Sequence, residues 1–239
     1  MKKLSSLSLF FPAYNEEGNI EETIRRAREV GEQVSNLFEI IIIDDGSRDK
    51  TGEIVDAFAR EDSRIHAIHH FPNQGYGGAV RSGLTASRYE YIFFTDSDLQ
   101  FDLKEITKLI EHIPKYDVVI GYRTKRADSL SFLRLMNAKG WNLLNRIFFG
   151  LKVRDIDCAF KLFKAEVLRG MELQSRGAML SAELLIRLMW RGLPFKEVPV
   201  SHFPNKTGHT TGAKPMVILR AFKELVQFFF WSLTENRRR

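Results

Sequence analysis

A chain of 239 residues with 44% hydrophobic content is large enough to bury its own core as one domain. The single cysteine, Cys158, excludes an intramolecular disulfide and a cysteine-based metal site, so a reducing location facing the cytosol is expected. The formal net charge of +6 favours anionic partners, namely nucleic acid, phosphorylated small molecules or an acidic membrane surface.

The first half of the chain alternates short apolar runs with segments of helical period, which is typical of an α/β fold with a mostly parallel sheet. Residues 1–17 begin like a signal peptide, but the apolar run is too short and lacks a cleavage site, so it predicts a first buried strand. The predicted strands are Leu7–Phe11, Glu39–Asp44, Arg64–His69, Glu90–Thr95 and Asp117–Gly121. The predicted helices carry apolar faces at Ile20, Ile24, Ala27 and Val30 and at Ile54, Ala57 and Phe58, with a third helix near Gly75 and a fourth after Asp102.

The second half changes character and becomes rich in basic amphipathic segments. Residues 129–152 predict a basic amphipathic helix or helix pair, and a short unit with a helix at 181–190 follows. Val217–Leu233 predicts a last helix, which three charges prevent from spanning a membrane but which is able to lie flat on one. The phenylalanines at 148–149 and 228–230 fit core packing, dimer packing or membrane contact.

Three polar clusters follow three of the predicted strands, at residues 12–17, 44–51 and 96–100. Each cluster alone also fits ordinary helix caps and turns. Because the carboxyl ends of parallel strands collect at one edge of a sheet, the three together indicate a ligand site.

The third cluster contains a closely spaced pair of carboxylates. Asp96 and Asp98 flank one residue, so in an extended loop their side chains point the same way. With Gln100 they provide an all-oxygen environment suited to Mg²⁺ or Mn²⁺. Because Mg²⁺ usually takes one or two protein carboxylates and completes its shell with phosphate oxygens, the pair predicts a phosphorylated substrate, in particular a diphosphate.

Four segments together resemble the family 2 glycosyltransferases: PAYNEE at 12–17, IIIDDGSRDKT at 41–51, NQGYGGAVRSG at 73–83 and FTDSDLQ at 94–100. Within that family they look most like the dolichyl- and polyprenyl-phosphate sugar synthases. The resemblance implies a nucleotide-diphosphate-sugar transferase fold of the GT-A type, a mostly parallel central sheet flanked by helices, with C-terminal amphipathic helices. It also implies a catalytic domain over residues 1–205, with 129–152 as a membrane-facing segment, and an acceptor loop, amphipathic helix and basic tail over 206–239.

The resemblance assigns roles to individual residues. It implies a metal site at Asp98 and Gln100, with Asp96 beside it on the nucleotide sugar, and a catalytic group of Asp157, Asp98 and Arg123, in which Arg123 meets the donor's phosphates. The residues that it places on the donor are Pro12, Ala13, Tyr14, Glu16, Ile43, Asp45, Asp96, Ser97, Asp98, Arg123 and Lys206.

Asp157 lies in a loosened form of the family's motif Asp-x-x-x-Gly-Phe, with Ala159 where glycine is usual. For an alcohol acceptor this aspartate is expected to act as general base. A phosphate acceptor is already ionised near neutral pH, so there Asp157 is expected to position the acceptor or the metal. Glu183 either supports this site or is a solvated carboxylate on a helix surface.

The glycines and histidines close to these motifs have more than one possible role. Gly75, Gly77 and Gly78 approach either a phosphate or a neighbouring helix, and their spacing does not match a dinucleotide fingerprint. Tyr76 stands where the family commonly has lysine or arginine. His69 and His70 are expected to end a strand and cap a turn, and His209 is a weaker candidate than Lys206 for contact with phosphate.

The sequence therefore predicts an inverting, metal-dependent glycosyltransferase that uses GDP-mannose or a UDP-sugar, with polyprenyl or dolichyl phosphate as acceptor. The basic segments predict peripheral attachment to an anionic membrane at its cytoplasmic face, with a homodimer or a separate anchoring subunit as further partners. Two alternatives stay open: a soluble or polysaccharide acceptor, and a catalytically inactive nucleotide-binding scaffold. Nucleic acid is disfavoured as a partner because the aromatic residues follow helices and form no stacking platform on a sheet.

Overall fold

The computed structural model describes residues 3–124, 132–177, 179–205 and 215–235. Seven strands lie in these ranges: β1 Leu4–Ala13, β2 Ser35–Asp44, β3 Ile65–His69, β4 Tyr91–Phe94, β5 Val118–Arg123, β6 Lys161–Lys164 and β7 Phe195–Val200. The α-helices are α1 Ile20–Val34, α2 Thr51–Glu61, α3 Tyr76–Ala86, α4 Ile106–Ile110, α5 Phe132–Phe149, α6 Met179–Trp190 and α7 Pro215–Glu235.

The strands form one sheet in the order β3-β2-β1-β4-β6-β5-β7. β6 runs antiparallel to both of its neighbours, β4 and β5, and every other pair is parallel. The predicted α/β class with a mostly parallel sheet is confirmed.

Each central strand contributes side chains to two cores, one on each face of the sheet, as the two-residue period of a strand requires. Leu9 and Phe11 of β1 pack on the face covered by α1, α2 and α4, whereas Phe10 between them packs on the face covered by α3, α6 and α7. The buried positions of α1 recur every three or four residues, which places Ile24 and Ala27 against the sheet. The sheet edge that carries the polar loops is therefore held between two helical layers.

All five predicted strands exist, and β6 and β7 are two strands that the sequence did not predict. β6 is only four residues long and begins with a lysine, so it lacks the apolar run by which the other central strands were found. β7 carries Pro199 and lies at the edge of the sheet, where a missing backbone donor is tolerated.

The C-terminal helix packs on the body of the molecule through aromatic side chains. The ring of Phe228 lies 5.4 Å from that of Phe149 on α5 and 5.8 Å from that of Trp190 on α6, measured between centroids. Core packing is therefore confirmed for Phe149 and Phe228, whereas Phe230 is 63% exposed. None of the helices in the described ranges has the length and apolar character of a transmembrane span.

Two predicted phosphate contacts, Lys206 and His209, lie outside the described residues. The predicted boundary between residues 205 and 206 stays a prediction for the same reason.

Candidate active site

The sheet order brings the loops after β1, β2 and β4 to one edge, because β1 lies between β2 and β4 and is parallel to both. The first two loops interlock. The Asn15 N–H donates to Ser47 Oγ at 2.9 Å, and the Arg48 N–H donates to Asn15 Oδ1 at 2.8 Å. Asn15 has φ of 57°, a left-handed conformation that costs free energy and often marks a functional loop.

The loop after β4 attaches to the same edge through Ser97, which is buried. Its hydroxyl donates to the Pro12 carbonyl at 2.8 Å, and its own carbonyl accepts from the Thr23 hydroxyl at 2.9 Å. Asp96 and Asp98, on either side of it, stay partly exposed. The alternation expected for this loop therefore holds, and Ser97 lies in the wall behind the two aspartates.

Gln100, predicted as a metal ligand, is buried and ties this loop to the segment after β7. Its side-chain amide donates to the Phe203 carbonyl at 3.0 Å, and the Phe203 N–H donates back to the Gln100 carbonyl at 2.8 Å. Leu99 beside it is the second non-glycine residue with positive φ among the described residues, at 58°. The Gln100 side chain therefore also fixes the segment around Phe203, which follows β7.

Asp96 is the centre of an electrostatic cluster. Burial raises its pKa, and a hydrogen bond from Tyr76 together with the charges of Lys161 and Arg123 opposes that rise. Burial also raises the pKa of Tyr76 well above its ordinary value, with the charges of nearby aspartates adding to the effect. The pKa of Glu16 is raised by burial, a hydrogen bond from Asn19 opposes the rise, and the charge of Asp96 adds to it. Groups from four separate segments thus interact electrostatically with Asp96.

Arg123, predicted to meet the donor's phosphates, is held by a buried carboxylate that the sequence interpretation missed. Its Nε lies 2.7 Å from Asp155 Oδ2 and its Nη2 lies 2.8 Å from Asp155 Oδ1, a bidentate pair. Burial lowers the pKa of Arg123, and the hydrogen bonds and charge of Asp155 outweigh this and raise it. The third guanidinium nitrogen, Nη1, makes no hydrogen bond to a described residue. Asp155 and Asp157 repeat the Asp-x-Asp spacing of residues 96 and 98, a sequence signal from which Asp155 could have been found.

Asp157, the predicted base or positioning group, is exposed, two residues after the buried Asp155.

The thiol of Cys158 is buried, and burial raises its pKa to about 11, so this cysteine is not a nucleophile at neutral pH. Lys161 is completely buried, and burial lowers its pKa. Neither Lys161 nor Tyr76 was among the predicted site residues. Lys161 lies on the unpredicted strand β6, and Tyr76 is uncharged at a position where the family commonly has lysine or arginine.

Two histidines at the end of β3, His69 and His70, contact two carboxylates at the end of β2, Asp44 and Asp45. Asp45 Oδ1 lies 2.7 Å from His70 Nδ1 and accepts from the Gln74 N–H at 2.8 Å. Its Oδ2 makes no hydrogen bond to a described residue. His69 Nδ1 lies 2.9 Å from Asp44 Oδ2, so the two histidines position carboxylates as well as end the strand.

The predicted donor pocket is only partly lined by side chains. Tyr14 is 45% exposed, and Pro12 and Ala13 are buried at the end of β1. Ile43 is completely buried among core residues, so its side chain does not reach the cleft and its contribution is limited to backbone.

The glycines before and within α3 serve close packing. The Gly77 N–H donates to the Arg176 carbonyl at 3.0 Å, and a Cβ at Gly77 would lie 2.6 Å from that carbonyl oxygen. Gly75 has φ of 78°, which favours glycine. The structure thus gives these glycines a packing role against the segment around Arg176.

Glu183 holds that same segment, and its interpretation as a surface carboxylate is wrong. It is completely buried on α6, where Oε1 accepts from the Gln174 N–H at 2.9 Å and Oε2 from the Ser175 N–H at 2.7 Å. Arg187 Nε completes the set at 2.8 Å. Glu183 therefore supports the site from behind, through the loop that meets Gly77.

The donor set fits a hard divalent cation. Among the described residues no group of three acidic, histidine or cysteine side chains is placed to hold a metal ion by itself. Asp96 and Asp98 supply two carboxylates, the number that Mg²⁺ usually takes before phosphate oxygens complete its shell. Two protein cations, Arg123 and the completely buried Lys161, interact electrostatically with the carboxylates at 96, 155 and 157.

Residues 8–171 match the model of the family described as Glycosyl transferase family 2. The glycosyltransferase AglD of Haloferax volcanii is 32% identical over 206 residues, which is 83% of this chain and 33% of that protein. The undecaprenyl-phosphate 4-deoxy-4-formamido-L-arabinose transferase of Pseudomonas aeruginosa is 32% identical over 167 residues, 69% of this chain and 49% of that protein. The chain thus spans about a third of the first relative and about half of the second.

A third relative has a length similar to that of this chain. The undecaprenyl-phosphate mannosyltransferase of Micrococcus luteus is 26% identical over 208 residues, which is 83% of this chain and 84% of that protein.

Solved structures share the fold. Glucosyl-3-phosphoglycerate synthase from Mycobacterium tuberculosis, in complex with UDP, superposes with a TM-score of 0.68 at 19% identity over 94% of this chain and 80% of that one. Its complex with Mn²⁺, UDP and glucosyl-3-phosphoglycerate gives a TM-score of 0.67 at 21% identity over 95% and 79%. The predicted GT-A type fold is confirmed. The polar loops meet at one sheet edge, and the family model spans most of the chain, so this chain belongs to glycosyl transferase family 2.

Proposed function

We propose that this protein is an inverting, metal-dependent glycosyltransferase that moves a sugar from a nucleotide-diphosphate donor to a polyprenyl or dolichyl phosphate. The observation that carries the proposal is the position of Asp96 and Asp98, where the loops after β1, β2 and β4 meet. Two of the relatives described above are named for transfer of a sugar to undecaprenyl phosphate, which supports this class of acceptor.

A divalent ion on the diphosphate is part of the proposal. The structural relatives hold UDP with Mn²⁺ in one complex and with Mg²⁺ in another, which supports either ion here. Asp96, Asp98 and the loop that Gln100 fixes would hold it. When bound, such an ion supplies positive charge that stabilises the departing diphosphate.

The chain's own residues supply the rest of the chemistry. An acceptor phosphate oxygen attacks the anomeric carbon, the bond from that carbon to the diphosphate oxygen breaks, and the configuration inverts. The free edge of the Arg123 guanidinium faces the negative charge that develops on the leaving group, since Asp155 fixes its other edge. Asp157 orients the acceptor, and the second oxygen of Asp45 accepts a hydroxyl or an N–H from the donor's nucleoside.

The acceptor places this chemistry at a membrane surface, in our proposal the cytoplasmic face. The exposed apolar residues of α7 are three or eight positions apart, on the side of the helix that faces away from the buried Leu225 and Phe228: Leu219, Phe222, Phe230 and Leu233. Beside α5, a pocket of about 390 Å³ has four basic side chains and one acidic side chain in its lining: Lys139, Arg146, Lys152, Arg154 and Glu197. Apolar and basic surface together suit an anionic bilayer, and the same apolar face also serves a homodimer or an anchoring subunit.

The test is a transfer assay with Asp98→Asn and a matched control. The protein is incubated with Mg²⁺ or Mn²⁺, polyprenyl phosphate and a panel of GDP- and UDP-sugars, and release of nucleoside diphosphate is measured. We expect Asp98→Asn to lower kcat by about 10²- to 10³-fold, because it removes a charge that stabilises the leaving group through the ion. Asp102→Asn removes a carboxylate from the same loop that only caps the following turn, and it should leave kcat unchanged.

The results also separate the alternatives. Release of nucleoside diphosphate with a soluble sugar or polysaccharide and none with the lipid would favour the soluble acceptor. Nucleotide binding without release for any pair would favour the inactive scaffold. Full activity of Asp98→Asn in the presence of metal would overturn the role of the aspartate pair.

A further inference from the structure

Lys161 is a completely buried lysine at the first position of β6. Full burial is rare for lysine, because its ammonium group loses hydration. In the sheet it is registered opposite Phe94 on β4 and Ile120 on β5. These are the two strands that lead to Asp96 and to Arg123.

The contacts of the ammonium group explain what it does there. Nζ donates to the carbonyl of Ile156 at 3.2 Å and to the carbonyl of Cys158. Those two carbonyls belong to the residues on either side of Asp157. The ammonium also lies 5.5 Å from the centre of the Phe94 ring, two residues before Asp96.

The two carbonyls need this partner. Ile156 and Cys158 are completely buried, so an apolar side chain at position 161 would leave both carbonyl groups without a hydrogen-bond donor among the described residues. A lysine supplies three donors on one atom, which is enough to bridge two carbonyls that face the same point.

We propose that Lys161 is a positioning residue for Asp157: its ammonium clamps the backbone on both sides of Asp157 and fixes that carboxylate relative to Asp96. The inference deepens the proposed function and rests on it, since Asp157 orients the acceptor there. An acceptor displaced by about 1 Å from its line of attack can lose 10²-fold in rate, so a loosened Asp157 loop is expected to slow the chemical step.

The experiment compares two substitutions at position 161 with a control on the same strand. Lys161→Met keeps the approximate volume and removes both the donors and the charge. Lys161→Gln keeps an amide donor for the carbonyls and removes the charge. Phe163→Leu changes a completely buried residue two positions along β6, in the core on the Phe94 side, without touching either carbonyl.

Two quantities are measured for each full-length protein. The first is hydrogen–deuterium exchange of the backbone amides in residues 154–160, which requires no activity. The second is kcat and the donor KM in the transfer assay. For Lys161→Met we expect faster exchange in this loop, a kcat about 10- to 100-fold lower and a donor KM that changes little. Lys161→Gln should fall between it and the wild type, and Phe163→Leu should leave both quantities close to wild type.

The outcomes separate the inference from the proposed function. A wild-type protein that transfers no sugar contradicts the proposed function, while faster exchange in Lys161→Met still supports the clamp. Unchanged exchange in Lys161→Met, or an equal loss of kcat in Phe163→Leu, overturns the clamp. If Lys161→Gln is as slow as Lys161→Met although its loop exchanges normally, Lys161 acts through charge and the positioning role is overturned. Failure of both Lys161 variants to fold, with Phe163→Leu folded, assigns Lys161 to folding of the sheet and also overturns it.

Discussion

Asp96 lies near two cations, Lys161 and Arg123, whose charges oppose the rise of its pKa on burial. Two carboxylates one residue apart require positive charge between them, and a divalent ion alone was expected to supply it. The structure adds two protein cations that come from β6 and from the end of β5. Because Lys161 is completely buried, its interaction with Asp96 is screened little by salt.

The Arg123–Asp155 pair is expected to contribute to stability as well as to the site. Its side chains are 14% and 7% exposed, so Asp155→Ala would leave a buried guanidinium without its partner. We expect the free energy of unfolding to fall by about 3 to 5 kcal/mol, as urea denaturation should show. Glu21→Ala breaks the pair with Arg25, in which the two side chains are 56% and 51% exposed, and should change the free energy of unfolding little. Equal losses for the two variants would contradict a buried pair.

His69 predicts a pH dependence of stability. Its hydrogen bond to Asp44 raises its pKa, with a further contribution from Asp56 and partial opposition from burial. The folded pKa therefore lies above the unfolded value, so the stabilisation is complete below a pH of about 6.5 and is lost as the pH rises through the folded pKa.

The corresponding experiment compares wild type with His69→Gln across pH. The difference in free energy of unfolding should be largest in mildly acidic solution and should shrink on going to pH values above the folded pKa. His112→Gln, at a histidine without an ion pair among the described residues, is the control substitution. A difference that grows as the pH rises would reverse the assigned sign.

At the scale of elements, α3 packs closely on its neighbours because two of its contact positions, Gly77 and Gly83, are glycines. A Cβ at Gly83 would lie 2.2 Å from the Phe10 ring, and one at Gly77 would meet the Arg176 backbone. The helix that carries Tyr76 thus approaches both the sheet and the segment held by Glu183. A shift of α3 would move Tyr76 away from Asp96.

Gly77→Ala and Gly140→Ala form a matched pair of helix substitutions. At Gly77 the added methyl group clashes with backbone, so we expect a loss of about 1 to 3 kcal/mol in stability and a lower kcat. Gly140 on α5 has no atom within 4 Å of an added Cβ, and alanine there should stabilise by about 0.5 to 1 kcal/mol. Thermal unfolding and the transfer assay measure both effects. A stabilised Gly77→Ala would mean that α3 is free to move.

At the scale of the whole molecule, the exposed apolar face of α7 and the basic pocket beside α5 are linked by aromatic contact. Phe148 of α5 and Phe229 of α7 meet edge to face with ring centroids 5.0 Å apart. The two helices therefore present their outer faces from one packed unit. Such a surface suits partial insertion into an anionic bilayer.

The combined variant Phe222→Ser and Phe230→Ser tests this surface. We expect it to bind phosphatidylglycerol-containing vesicles at least about tenfold more weakly in a sedimentation assay, because each phenylalanine loses its apolar burial. Leu37→Ser, at a residue of β2 that is 59% exposed, should bind like wild type. Added salt should weaken wild-type binding through the basic side chains. Undiminished binding of the double variant would favour a protein partner on this face.

The sequence predicted the fold most accurately where a local residue pattern depends directly on the position of the segment in the tertiary structure. A continuous apolar run such as Ile40–Ile43 of β2 is buried on both faces of a parallel sheet, so it was recognisable as a strand. Polar clusters directly after such runs were placed at one edge for the same reason. β6 escaped prediction because its burial comes from pairing with β4 and β5, and its first residue is a lysine.

By itself the sequence determined the α/β class, the first five strands, the loops that meet at the site and the aspartate pair, since these follow from period, turn chemistry and spacing. Only the tertiary structure decided which of the two aspartates at 155 and 157 is buried, that Glu183 faces inward, and that Lys161 donates to the carbonyls on either side of Asp157. Those outcomes depend on contacts between residues far apart in the sequence, and no local pattern encodes which buried charge finds which partner.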